Sequence, residues 1–369
     1  MKSIKFFAAA SLFALGAATL LTAPAQAEDG AGAVFVMTNA ASNNQIAAYT
    51  RNQDGSLQAA ASYSTGGNGS GGTIDPLHSQ GSLRLSADHR LLFAVNAGSG
   101  TVSSFAVEGS ELTLADTQPS GGSAPSALAQ SGDLLYVLNS GGSGNVSGFH
   151  VGAHGHLRPI ANSTRDLSDT AAGATSLAFS PNRQFLVVTE RATNNIDVFR
   201  VLDDGSLSTI SVNPSADAVP FAAVFAPNGA LIVGAASNFV SSYQLHHDGT
   251  LGAITASLPT LGKATCWDVV TPNGRFVFTA NAGTANLSGF AIARDGALTP
   301  VGSTIVGANP AGSVNLDTAI SADGKFLYTL NTGTGSIGSF SVDHDGFLTA
   351  LSATGGLPVA SGLNGIAAY

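Results

Sequence analysis

Hydrophobic and polar positions along this chain alternate in short runs, and the runs return in a fixed order. A short apolar run ends in a polar turn. A second apolar run closes on Asn and is followed by Gly-rich residues. A third run carries an aromatic, and an Asp-Gly-type turn leads into a fourth that opens with Leu-Thr or Leu-Ser. The clearest copy occupies residues 82–88, 91–96, 101–105 and 112–115, and a late copy at 317–323, 326–331, 336–340 and 348–351 matches it run for run. The third-run aromatic recurs as Tyr49, Phe105, Phe149, Phe199, Tyr243, Phe290 and Phe340, at spacings of 44 to 56 residues.

Each run has strand length and a period of two, and is bounded by Gly, Asn and Asp. Asp54-Gly55, Asp204-Gly205, Asp248-Gly249, Asp295-Gly296 and Asp345-Gly346 supply hairpin turns, because Gly accepts positive φ without steric cost. Four strands per unit at this period are the signature of a propeller blade. The predicted fold is all-β: a seven-bladed β-propeller with four antiparallel strands per blade. The ends of the chain predict how the ring closes. Residues 33–39 read as a second strand with no first strand before them, and residues 362–369 read as a first strand with nothing after them. The C-terminal strand is expected to complete the N-terminal blade, which removes an exposed sheet edge.

Composition adds an address and removes some partners. Lys2 and Lys5, the apolar stretch 6–21 and Ala25-Gln26-Ala27 read as a secretory signal peptide over residues 1–27. Residues 28–369 are then a single propeller domain, exported to the periplasm or secreted. The formal net charge is −9, and cleavage would remove two positive charges. An acidic product is a poor match for nucleic acid or an anionic membrane, so neither is expected as a partner. Cys266 is the only cysteine, so no internal disulfide forms and the core alone must stabilise the fold. A monomer is expected, without cofactor. No metal site is expected either, since His150, His154, His156, His246 and His247 sit in hairpin regions.

The repeat also acts as a filter, because positions that obey it are structural and departures are candidates for function. Second strands close on Asn39, Asn96, Asn139, Asn281 and Asn331, which read as turn-stabilising amides. Blade five has Ala235 there, and blade four has Glu190 followed by Arg191. Placed at the channel rim, Glu190 is a candidate general acid or base; its other reading is a surface salt bridge with Arg191. The Gly-rich link 66–78, continuing into Ser79-Gln80, is the longest between blades and falls on the same rim. It is either a flexible loop or a cover over the channel mouth. Gln80, Thr175, Asp317 and Asn364 lie near the starts of first strands and are the candidate substrate-binding residues. Asp317 and Asp268 stand in apolar runs, where an unpaired carboxylate is costly, so each also reads as a carboxylate binding backbone N–H groups between blades. Cys266, beside Trp267, reads as a packed thiol.

The sequence resembles the lactonase family of seven-bladed propellers, which includes bacterial 6-phosphogluconolactonases and fungal carboxymuconate-lactonising enzymes. The resemblance covers residues 33–369. It is carried by Ser180-Pro-Asn-Arg-Gln-Phe-Leu-Val-Val-Thr-Glu190, Ser321-Ala-Asp-Gly-Lys-Phe-Leu-Tyr328, Val269-Val-Thr-Pro-Asn-Gly-Arg-Phe-Val277 and the Asp-Gly-x-Leu turns. It implies a lactone-acting enzyme, a hydrolase before a cycloisomerase, that takes a small-molecule lactone into the central channel. It also implies that Glu190 is the glutamate that family members carry after the second strand of blade four. Arg191 or backbone N–H groups would then stabilise the oxyanion. The Arg-His pair that opens the family's fourth blade corresponds here to Gly173-Ala-Thr-Ser-Leu177, and a histidine opening its second blade corresponds to Gly81. A less basic pocket built from Gln80, Thr175 and Arg191 is the resulting expectation. The residues leave a second reading open: a non-catalytic propeller that binds an extracellular sugar, peptide or protein.

Overall fold

Seven antiparallel sheets, six of successive strands and one completed by the last strand of the chain, account for the strands of the computed structural model, which describes Met1 and residues 32–369. The signal-peptide segment falls on residues 2–31, outside the described residues apart from Met1. Blade two consists of Leu83–Leu85, Leu91–Asn96, Thr101–Glu108 and Glu111–Pro119. Blade four consists of Ala174–Phe179, Phe185–Glu190, Asn195–Arg200 and Ser211–Pro214. The outer edge of blade three is split into Leu157–Pro159 and Arg165–Asp166, both paired to Asn145–Val151.

The ring closes as the ends of the sequence predict. Ile366–Ala368 pairs antiparallel with Gly32–Met37, Phe35 facing Ala367. Side chains reinforce this seam. Arg51 Nε donates to Tyr369 O at 3.1 Å, and Asn39 Nδ2 donates to Gly362 O at 3.1 Å.

The seven third-strand aromatics are all buried, none more than 4% exposed. Burying each contributes roughly 1.5–3 kcal/mol. Second strands such as Phe185–Glu190 and Phe326–Asn331 are buried at every position, being covered by a blade on each face, and so read as continuous rather than alternating apolar runs. First strands carry a bulge near their start, at Ser126, Thr175, Phe221 and Cys266. In blade seven the bulge comes one residue later, at Asp317, which takes a φ of 55°.

The asparagines that close second strands lock neighbouring elements together. Asn96 Nδ2 donates to Ser103 Oγ on the third strand at 2.8 Å, and Ser103 Oγ donates to Thr65 O in the link from blade one at 2.6 Å. Asn281, Ser288 and Thr260 repeat this chain in blade six, at 2.8 and 2.6 Å.

Candidate functional site in the central channel

The long link after blade one crosses the channel and plugs it. Ser79 Oγ donates to Ser126 O in blade three at 2.7 Å, and the Gln80 N–H donates to Thr175 O in blade four at 2.9 Å. The Gln80 side chain then clamps the backbone of blade six: Nε2 donates to Asp268 O at 2.6 Å and Oε1 accepts from Asp268 N at 3.1 Å. Trp267 Nε1 donates to Ser79 O at 3.1 Å. Of the two sequence readings for this link, the cover is the one observed. Gln80 is almost wholly buried and serves as the plug's anchor. Thr175 is also buried, its hydroxyl donating to Phe221 O at 2.7 Å, so it joins blades four and five.

Beyond the plug lies a cavity of about 590 Å³, running from Gln80 to the turns at Ala87, Ser131, Pro181 and Pro227 on the opposite rim. That size suits a small ligand. Its walls are apolar first-strand residues, with Arg84, Asp268 and Asp317 as the ionisable groups. Arg84 Nε donates to Leu128 O at 3.3 Å. Burial lowers the guanidinium's pKa, and the charge of Asp317 opposes that shift. Asp317 accepts from Thr318 N at 2.9 Å and from Ile366 N at 3.3 Å, so it ties blade seven to the closing strand. Burial pushes its pKa up to about 6, with Arg84 and these N–H groups restraining the rise. Asp268 stands where blades three and four carry Leu128 and Leu177 in the matching register. Its carboxyl lies over Gly234, whose N–H is the donor near it, and neither oxygen receives a well-formed hydrogen bond. A Cβ at position 234 would come within 2.7 Å of both oxygens, so only Gly leaves room for this carboxyl. Burial pushes the pKa of Asp268 up to about 7.

A second polar group gathers on the plug's other side. Asn364 Nδ2 donates to Asp75 Oδ1 at 3.1 Å, and Ser82 Oγ donates to Asn364 Oδ1 at 2.8 Å. Burial raises Asp75 to about 7, and the Arg191 charge is among the groups restraining it. Arg191 also acts on His78, which burial and this guanidinium hold below the usual imidazole range. Cys266 is a packed thiol, pushed far above its ordinary value by burial and then by Asp75 and Asp268.

Glu190 is displaced from the expected position at the axial mouth. Its carboxyl is fully buried against Ser168 of the link from blade three, Thr193 and Asp197 of the third strand. Ser168 N donates to Glu190 Oε1 at 3.0 Å, and the Ser168 hydroxyl donates to Oε2. The salt bridge with Arg191 is not formed. The reason is the strand's register: Glu190 has the lock position of Asn96 and Asn281, which points to the third strand and the link. The structure therefore brings Gln80 and Asp317 to one cavity, places Asn364 and Arg191 across the plug, and leaves Glu190 and Thr175 between elements. Sequence reasoning missed Arg84, Asp75 and Asp197. Arg84 had a legible signal, a cation inside a channel-lining strand, and Asp197 stands where other blades repeat a Ser.

These features define a closed seven-bladed propeller whose axis is plugged at one end and hollow at the other. Residues 31–167 and 163–267 match the family described as Lactonase, 7-bladed beta-propeller, and the chain belongs to that family. Solved structures agree on the fold. A candidate 6-phosphogluconolactonase of Bacteroides uniformis is 20% identical, with a TM-score of 0.72 over 92% of this chain and 99% of that one. The periplasmic gluconolactonase PpgL of Pseudomonas aeruginosa is 19% identical, with a TM-score of 0.68 over 91% of this chain and 98% of that one. No curated protein matches the chain in sequence.

Proposed function

We propose that this protein hydrolyses a lactone in the hollow half of its channel. The observation that carries the reading is a cavity of about 590 Å³ holding one guanidinium and two carboxyls of raised pKa. Asp317, restrained near 6 by Arg84 and backbone donors, is ionised at neutral pH. An ionised carboxylate has lone pairs beyond those the two N–H groups use, and can take a proton from an attacking water. Arg84 donates to the carbonyl oxygen as negative charge develops there. Asp268, near 7, retains a proton to give to the departing ring oxygen. The product is the open-chain hydroxy acid. The name of the P. aeruginosa relative makes sugar lactones the first substrates to assay.

The test is kcat/KM over a lactone panel for the wild type, Arg84→Gln and Asp268→Asn. Losing the oxyanion donor lowers the rate by roughly 10²–10³-fold. Wild-type rates in both variants rule this reading out. Ligand-dependent stabilisation without turnover supports the non-catalytic alternative instead. Export from the cytoplasm is a further part of this proposal, supported by the basic start, the apolar stretch and the Ala-Gln-Ala site; a mature N-terminus at residue 28 in the exported fraction checks it.

A further inference from the structure

The lock chains of blades two, three and six are neutral. In blade three, Asn139 Nδ2 donates to Ser147 Oγ at 3.2 Å, and that hydroxyl donates to Ser120 O. Blade four puts two carboxyls in the same frame. Glu190 and Asp197 are seven residues apart, as are Asn96 and Ser103, and Asn281 and Ser288. Ser168 supplies the link. Its N–H is shared between Glu190 Oε1 at 3.0 Å and Asp197 Oδ2 at 3.1 Å. Thr193 Oγ1 donates to Glu190 Oε2 at 2.5 Å, and Asn195 Nδ2 reaches Ser168 Oγ at 3.4 Å.

Both carboxyls are 0% exposed and converge on the one Ser168 N–H they share, yet Asp197 Oδ1 receives no hydrogen bond. Among the described residues neither forms an ion pair with a cation. Arg165, from the same link, is committed to the carbonyls of Ser208 and Leu207, and Arg191 acts on Asp75 and His78. Of the link's other acids, Asp166 and Asp169 are exposed, and Asp169 accepts from Ala171 N. Two buried carboxyls brought to one N–H, with no ion pair to either among the described residues and one oxygen unpaired, call for a hydrogen between them. We propose that Glu190 and Asp197 hold one proton between them at neutral pH, making the joint between blades three and four a proton-dependent latch where blades two, three and six use neutral ones.

The titration of the pair agrees. Burial, and then the neighbouring carboxylate, push Asp197 up to about 9. Burial alone would raise Glu190, but the bonds from Asp197, Ser168 and Thr193 outweigh it and hold Glu190 below the usual carboxylate range. An unfolded Asp titrates near ~3.9, so folding takes up a proton at every pH between ~4 and about 9. Stability contributed by the pair is therefore present in acid and lost as pH rises across that window. The opposite contribution of Glu190 is lost only below its unfolded value, ~4.3.

The experiment compares the wild type with Glu190→Asn/Asp197→Ser, which installs the neutral lock of blades two and six. The folding equilibrium constant of the wild type should fall relative to that variant by up to ~10-fold per pH unit between pH ~5 and pH ~9, and level off above. Parallel pH dependence in the two proteins overturns the proposal. If the variant does not fold, infrared spectra of the wild type with ¹³C-labelled aspartate decide. At a pH of about 8, Asp75 and Asp268 (near 7) and Asp317 (near 6) are largely ionised, and a protonated carboxyl band should remain. It should vanish toward a pH of about 10. A spectrum without that band at a pH of about 8 overturns the proposal as well.

Discussion

Asn96 shows how much one side chain does in this ring. It donates to Thr101 and Ser103 and accepts from Thr65 and Asn44, four side chains from three segments. Replacing it with Ala removes all four of these hydrogen bonds from a buried site, and the expected loss is about 1–3 kcal/mol, read from denaturant unfolding. The channel carboxyls make a prediction of the same grain. As the base, Asp317 must be ionised, so lactone turnover should fall as pH drops through about 6. As the acid, Asp268 must keep its proton, so turnover should also fall as pH rises through about 7. A narrow bell in kcat/KM against pH is the expected profile, and Asp268→Asn should remove its alkaline limb along with most of the rate. Cys266 should stay unreactive toward a thiol reagent in the folded protein and titrate as one thiol after denaturation, because its burial disfavours the thiolate.

At the scale of an element, the link between blades one and two changes from connector to structural part. A loop that makes no contacts would be mobile; this one reaches blades three, four and six through Ser79, Gln80 and Trp267. Trp267 is the only tryptophan, so its fluorescence reports on the plug. Gln80→Ala removes both bonds to the Asp268 backbone. The expected result is a red-shifted emission and easier quenching by a soluble quencher, with the far-ultraviolet signature of the sheets retained. An unchanged spectrum would mean that the rest of the link holds the plug without its glutamine.

For the whole molecule the weak point is the seam. Blade one depends on three paired residues of the last strand, with Asp317, Asn39 and Arg51 holding the tail. Leu363 and Ile366 are buried there, and together contribute roughly 3–6 kcal/mol. A domain's total stability is typically ~5–15 kcal/mol. Deleting residues 362–369 should therefore give a protein that unfolds at much lower denaturant and self-associates, since the inner edge of Gly32–Met37 is left open.

The amino-acid order by itself determined the repeat, the number of blades and the closing strand. All three follow from local periodicity and from turn residues, which act over a few positions. It also marked Glu190 as a departure, because a carboxylate replaced a repeated amide. What a departure does is set by what faces it. Glu190 meets Asp197 and Ser168, and Arg84 shares a cavity with Asp317, only because strands far apart in sequence are stacked around an axis. The plug is decided in the same way: a Gly-rich stretch is permissive in sequence, and only the spacing of three first strands around the channel gives Ser79 and Gln80 their partners.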